Sequence, residues 1–232
     1  MCAVIGVVLK RPTIKDFELL VKIFIESKIR GLHATGLSYI KYGEVITEKL
    51  PIPADKFPFD FCSYVNEDGN LYLVGHCRYS TSDLQFNQPI SNENFSVVHN
   101  GVITQELPEH WKEFYGYDCV TKNDTELLLH TLEDNKSSLE VWQNSSLAVC
   151  ELHKEKILRF YRNGKRPLFL SELDNGWLVT STENIATRAG VNASSSIIDV
   201  NTYYYVDNFT LLKQPSGVVN DDLQDRKSTR LN

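Results

Sequence analysis

The chain opens Met1-Cys2-Ala3-Val4-Ile5-Gly6-Val7-Val8-Leu9-Lys10, and this stretch decides both the fold and the chemistry. Ala3 to Leu9 is rich in Val and Ile and bounded by polar residues, which predicts a short buried strand. It is far shorter than the ~18 apolar residues of a membrane span. With no basic residue before it and no small-residue cleavage site after it, it is not a secretion signal. Cys2 stands directly after the initiator methionine. Cysteine is small, so loss of Met1 is expected, which places a thiol and an α-amine on one residue at the head of a strand. A free thiol titrates near ~8.5 and an α-amine near ~7.7–8.0. The amine is therefore a built-in base that can relay the thiol's proton.

Working outward, Thr13 is predicted to cap a helix with Asp16 as its capping-box partner. Phe17, Leu20 and Phe24 give that helix one apolar stripe, and Gly31 ends it. Tyr42-Gly43 separates two strand-like runs and reads as a hairpin. Leu71–Val74 and Phe95–Val98 read as strands, with Asn87-Gln88-Pro89 in the polar segment between them. Residues 123–132 form a second helix with an acidic first turn. Two more hairpins lie at 147–161 and at 167–180, the latter turning on Asp174-Asn175-Gly176. A short helix over 183–188 and an aromatic strand, Tyr203–Val206, complete the pattern. The alternation predicts one α+β domain with much antiparallel sheet.

The composition narrows the class. The chain has 232 residues, 42% hydrophobic and 23% charged, with 24 Lys and Arg against 30 Asp and Glu, for a formal net charge of -6. That is ordinary globular composition. The acidic balance argues against a nucleic-acid groove, which usually needs a basic face. No apolar run is long enough to span a membrane. Five scattered cysteines (Cys2, Cys62, Cys77, Cys119, Cys150) suit free thiols in a reducing compartment, and a cytoplasmic location is expected. No CxxC or HxxxH spacing is present, so no metal site is expected. No cofactor is implied either.

A set of short motifs appears in order along residues 2–190. Cys2 begins it. Arg30-Gly31 with Gly36 comes next, then Gly75-His76-Cys77-Arg78-Tyr79-Ser80-Thr81 and Asn87-Gln88-Pro89. His99-Asn100-Gly101, Asn123-Asp124-Thr125-Glu126, Arg162 with Gly164 and Arg166-Pro167-Leu168, and Ser181-Thr182-Glu183 complete it. The order and content resemble class II glutamine amidotransferase domains, whose nucleophile is an N-terminal cysteine. Such domains begin MCGI and carry GHTRWAT, HNG, SDTE and RPL elements. This chain departs from them at Ala3 for glycine, Cys77 for threonine, Tyr79 for tryptophan and Ser82-Asp83 for His-Gly. The last departure lies near the expected glutamine pocket.

The resemblance implies a four-layer αββα sandwich of the N-terminal-nucleophile hydrolase type. It implies that Cys2 attacks L-glutamine, ammonia leaves, and a thioester is hydrolysed to glutamate. Asn100 and Gly101 are then the oxyanion donors. Arg78 holds the substrate carboxylate with a bidentate fork, Asp124 accepts from the ammonium, and Tyr79 and Thr81 complete the substrate site. Arg30, His76 and His99 support it. Such domains pass ammonia to a synthase, here expected as a separate subunit or a missing C-terminal domain. Residues 2–214 are expected to form the domain and 215–232 a tail. Within that tail, 225–232 (DRKSTRLN) resembles a conceptual translation of a sequencing adapter. Two other readings exist: an N-terminal-nucleophile hydrolase of a different amide, and a catalytically silent module that senses glutamine or binds a partner. Arg78 with Asp124 argues against the first, and intact Cys2, Asn100 and Gly101 against the second.

Overall fold

In the computed structural model the described residues are 2–79 and 86–218. The opening run forms β1 (Ala3–Lys10). The capped helix is α1 (Ile14–Ser27). The Asp16 carboxylate accepts from the Thr13 N–H at 2.6 Å and from its hydroxyl at 2.9 Å. A 3-10 turn over Lys28–Arg30 comes next and ends at Gly31. The predicted hairpin is β2 (Ala34–Lys41) and β3 (Glu44–Leu50). Beyond it lie α2 (Phe61–Tyr64), β4 (Asn70–Arg78), β5 (Ile90–Ser91) and β6 (Phe95–His99). Three helices continue the chain, α3 (Trp111–Tyr115), α4 (Thr125–Glu133) and α5 (Ser138–Val141). Hairpins β7 (Ala148–His153) with β8 (Ile157–Arg162) and β9 (Phe169–Leu173) with β10 (Gly176–Thr180) come after them. The described chain closes with α6 (Glu183–Ala189), β11 (Ser195–Ile197), β12 (Thr202–Asp207) and β13 (Thr210–Pro215).

The strands make two antiparallel sheets. One has seven strands in the order β11-β9-β10-β1-β4-β2-β3, and the other has six in the order β13-β12-β8-β7-β6-β5. The first strand thus becomes a central one, with Gly6 opposite Val179 on one side and Val74 on the other. Its alternation sorts its side chains. Ala3, Ile5, Val7 and Leu9 pack with Leu20, Ile23 and Phe24 of α1. Val4 and Val8 pack with Val98, Cys150, Leu158 and Phe160 of the second sheet. Cys2 shares the parity of Val4, so it stands on the side facing the space between the sheets. The far face of the second sheet, with Val97, Val149 and Tyr161, is covered by Leu127, Leu128 and Leu132 of α4. Helix, sheet, sheet, helix is the expected four-layer order.

Where the fold differs from the sequence reading, length is the reason. The strand expected over 71–74 runs on to Arg78 because β1 and β2 pair with both its edges. The helices α2, α3 and α5 span one turn each, too short for any period to show. No helix among the described residues is long and apolar enough to cross a membrane.

Candidate active site

Three contacts hold the first residues of β1. The Arg30 Nε donates to the Cys2 carbonyl oxygen at 3.0 Å. The Val4 N–H donates to Ser181 Oγ at 2.7 Å, and Ser181 is fully buried. The Cys2 N–H donates to Asn100 Oδ1 at 3.3 Å. Gly31, next to Arg30, is extended and lies close against the end of β4. A Cβ there would meet the Cys77 carbonyl oxygen at 2.1 Å, so no larger residue fits against the end of β4.

Asn100 comes directly after β6. Its own N–H is spent on Ala148 O at 2.9 Å. Because the Cys2 nitrogen is a donor, the amide atom facing it must be the oxygen, which fixes the other end as Nδ2. That Nδ2 is buried and has no hydrogen-bond partner. An unpaired buried donor costs about 1–3 kcal/mol, and such groups are rare enough to call for a cause. Gly101 is next, at φ +156, where a Cβ would sit 1.8 Å from Ser146 O and 2.6 Å from His99 Nε2. Only glycine fits that approach.

His99 and His76 lie beneath these residues, both buried. The His99 N–H donates to Gln88 Oε1 at 2.6 Å, and its Nε2 meets Ser146 O at 2.9 Å. A carbonyl only accepts, so that Nε2 carries the proton. Burial lowers the His99 pKa; Asp124 and the Ser146 contact oppose this, and Arg166 adds to it. His76 is pushed down to about 3 by burial, with Arg78 and His99 adding to the effect. Neither His76 ring nitrogen has a hydrogen-bond partner. Both imidazoles are therefore neutral near pH 7.

The expected substrate residues among those described lie at element ends. Arg78 ends β4, and its Nη1 donates to Phe86 O at 2.8 Å and to Asn87 Oδ1 at 2.9 Å. The Asn123 Nδ2 reaches the same Phe86 O at 2.8 Å. Asp124 precedes α4 and accepts the Ile103 N–H on Oδ2 at 2.7 Å. Part of Arg78 and part of Asp124 thus fasten local backbone. Tyr79 is 49% exposed. Its ring centroid lies 4.8 Å from that of His33. Thr81, with Ser82-Asp83, lies outside the described residues, as does the segment 225–232.

Two residues hold roles that their motifs alone do not reveal. Ser181 anchors the strand that Cys2 precedes, through Val4. Arg166 is half-buried, its Nε is buried without a partner, and its charge bears on both Arg30 and His99. The Arg30 pKa is lowered by burial, with Cys2 opposing and Arg166 adding to the fall. One guanidinium, that of Arg30, thus touches Cys2, and the second, that of Arg166, lies near enough to Arg30 to act on it. Among the other thiols, Cys77 and Cys150 are buried, and burial drives both pKa values up.

Comparison with known proteins agrees with this geometry. A glutamine amidotransferase domain family matches residues 60–221, more than half of the chain. A glutamine–fructose-6-phosphate aminotransferase (isomerizing) from Sulfurisphaera tokodaii is 26% identical over 187 residues, covering 77% of this chain and 31% of the relative. The fold matches the B. subtilis glutamine phosphoribosylpyrophosphate amidotransferase complexed with ADP and GMP, at TM-score 0.69 and 18% identity, over 94% of this chain and 50% of that one. It also matches a glutamine aminotransferase class-II domain protein from Silicibacter pomeroyi, at TM-score 0.56 and 11% identity, over 94% and 100%. The chain thus spans about a third of the curated relative and half of the phosphoribosylpyrophosphate enzyme. With two antiparallel sheets between helices, Cys2 at the head of the central strand and this family match, the chain belongs to the class II glutamine amidotransferase domain family.

Proposed function

We propose that the chain is a glutaminase domain that splits L-glutamine into glutamate and ammonia for a synthase on another chain or a further domain. The observation that carries this is the Asn100 amide, whose oxygen holds the Cys2 nitrogen while its Nδ2 is buried and unpartnered. A donor kept dry beside a nucleophile is poised for negative charge that appears only during reaction.

In this reading, loss of Met1 frees the Cys2 α-amine, which takes the thiol proton as Sγ attacks the side-chain amide carbon. The oxyanion accepts from Asn100 Nδ2 and the Gly101 N–H. The amine returns the proton to the leaving nitrogen, ammonia departs, and water hydrolyses the thioester. Arg30 fixes the carbonyl of the nucleophile. Arg78 takes the glutamine carboxylate and Asp124 its ammonium. These two groups come from separate segments, the end of β4 and the start of α4. The five free cysteines support a reducing, cytoplasmic setting. A lone glutaminase wastes ammonia, so turnover is expected to be low until a partner is present.

The test uses protein shown by intact mass to have lost Met1. A diazoketone analogue of glutamine should label Cys2, glutamine should protect it, and glutamate should be released from glutamine but not from simple acyl amides. Turnover of an acyl amide without glutamine would favour a different amide hydrolase. No label at Cys2 and no glutamate would leave only a binding module.

A further inference from the structure

A second cluster of reactive side chains lies away from Cys2, where residues 116–124 lead into α4. Glu126 and His130 are one helical turn apart on α4, and Cys119 comes from the preceding loop. One donor atom from each, the thiol sulfur, a carboxylate oxygen and a ring nitrogen, all lie within 4.8 Å of one another. We propose that Cys119, Glu126 and His130 form a binding site for a thiophilic divalent cation such as Zn2+.

The hydrogen bonds around the cluster prepare it for a cation. Glu126 is buried. It accepts the Val120 N–H at 2.7 Å and the Thr121 N–H at 2.6 Å, which wraps the loop around the carboxylate just after Cys119. His130 Nδ1 lies 2.7 Å from Glu133 Oε2. A carboxylate accepts, so Nδ1 is the protonated nitrogen and Nε2 of a neutral ring presents a lone pair. That Nε2 is buried, has no hydrogen-bond partner, and stands 3.7 Å from Glu126 Oε1. A lone pair facing a carboxylate oxygen repels unless a positive species lies between them. Tyr117 stacks on the His130 ring at 5.2 Å and 16°, which restrains its rotation.

The donor chemistry selects the ion class. Thiolate, imidazole and carboxylate together are Zn2+ ligands, and three protein donors leave a fourth position for water. A carboxylate behind the distal ring nitrogen, as Glu133 stands behind His130, is the recurring outer support of metal-bound histidine. On binding, the sulfur–metal bond forms as the thiol proton leaves to solvent. Metal bonds of roughly 2.0–2.3 Å require the three donors to draw together, a movement that falls on the loop residue Cys119. The spacing escapes a CxxC or HxxxH search because one donor is a thiol from a loop and another a glutamate.

The competing occupant of the gap is a proton, with His130 an imidazolium bridging Glu126 and Glu133. The two are separated in a Cys2→Ala background, which removes the competing thiol at the N-terminus. Chelator-treated protein is titrated with Zn2+ against a chromophoric competitor and examined by X-ray absorption. One equivalent bound, with one sulfur in the coordination sphere and a raised thermal midpoint, is expected. Cys119→Ser and His130→Ala, each checked for folding by circular dichroism, should lose that equivalent. Glu133→Gln should weaken binding about 10–100-fold. A sphere without sulfur, Cys119→Ser binding as tightly as its parent, or no Zn2+ bound by the folded parent would overturn the proposal.

Discussion

Ser181 Oγ accepts the Val4 N–H at 2.7 Å across 177 positions of sequence, so the strand that carries Cys2 is tied down by a residue beyond the end of β10. Pairing of β1 with β10 begins only at Ile5, opposite Thr180. Without the hydroxyl, the Val4 N–H is left buried beyond the ladder. Ser181→Ala should therefore cost about 1–3 kcal/mol. That corresponds to a fall in melting temperature of about 2–4 °C per kcal/mol for a domain of this size. Ser181→Thr should recover most of it. A Ser181→Ala protein melting with the parent would show that the contact contributes nothing.

Asn100→Ala should separate activity from stability. Loss of an oxyanion donor is expected to lower kcat for glutamine hydrolysis by ~10²–10³. The same substitution deletes a buried donor that has no partner, so the folded state should not suffer in proportion. Steady-state kinetics and a urea melt on the same preparation give both numbers. A large loss of stability together with full activity would reverse the assigned role.

Gly101→Ala should do the opposite and harm both. The added methyl would meet Ser146 O at 1.8 Å, a backbone atom that cannot swing aside. The strain at this φ alone is expected to exceed about 1 kcal/mol. The shift should also carry His99 and Asn100 with it, abolishing labelling of Cys2 by the diazoketone. Normal labelling and a normal melt would mean that the 100–102 segment is more adaptable than its packing indicates.

The two buried imidazoles make stability depend on pH in a definite sense. The folded-state pKa of His76 is about 3, below the ordinary 6.5, and that of His99 is also lowered. The unfolded chain therefore binds more protons below pH 6.5. Stability is fully present above that value and falls as pH drops. One depressed histidine contributes about 1.4 kcal/mol per pH unit, hence about 2 kcal/mol from His76 between pH 6.5 and 5. Glu151, lowered to about 2 by Arg159 and His153 against the opposing effect of its burial, adds little in that window. Urea midpoints across it should slope less in His76→Gln. An unchanged slope would place the titrating group elsewhere.

The sequence carried the layer order of the fold, and the motif residues fall at the ends of its elements. Cys2, Arg78, Asn100, Gly101 and Asp124 sit at the ends of strands or the start of a helix, within short runs that follow one another in a recognisable order. Their chemistry is visible without neighbours. Ser181 and Arg166 stand in motifs of the same kind, yet their roles are invisible there, because each acts through a partner far away in sequence, Val4 in one case and Arg30 with His99 in the other. The orphaned ring of His76 was equally hidden, since only the closure of two sheets removes it from water. Among the elements, β11 is three residues long and β13 is largely exposed, so neither shows a clean apolar alternation.

Arg78 grips Phe86 O and Asn87 Oδ1 with a single nitrogen, so the chain leaves the sheet at Tyr79 and is recaptured at Phe86 by the residue it has just passed. The two ends of the interval are thus joined by contacts that do not depend on what lies between them. Residue 78 is accordingly a clasp: shortening its side chain would unfasten Phe86 and Asn87 together, and with Phe86 the Asn123 amide that shares its carbonyl.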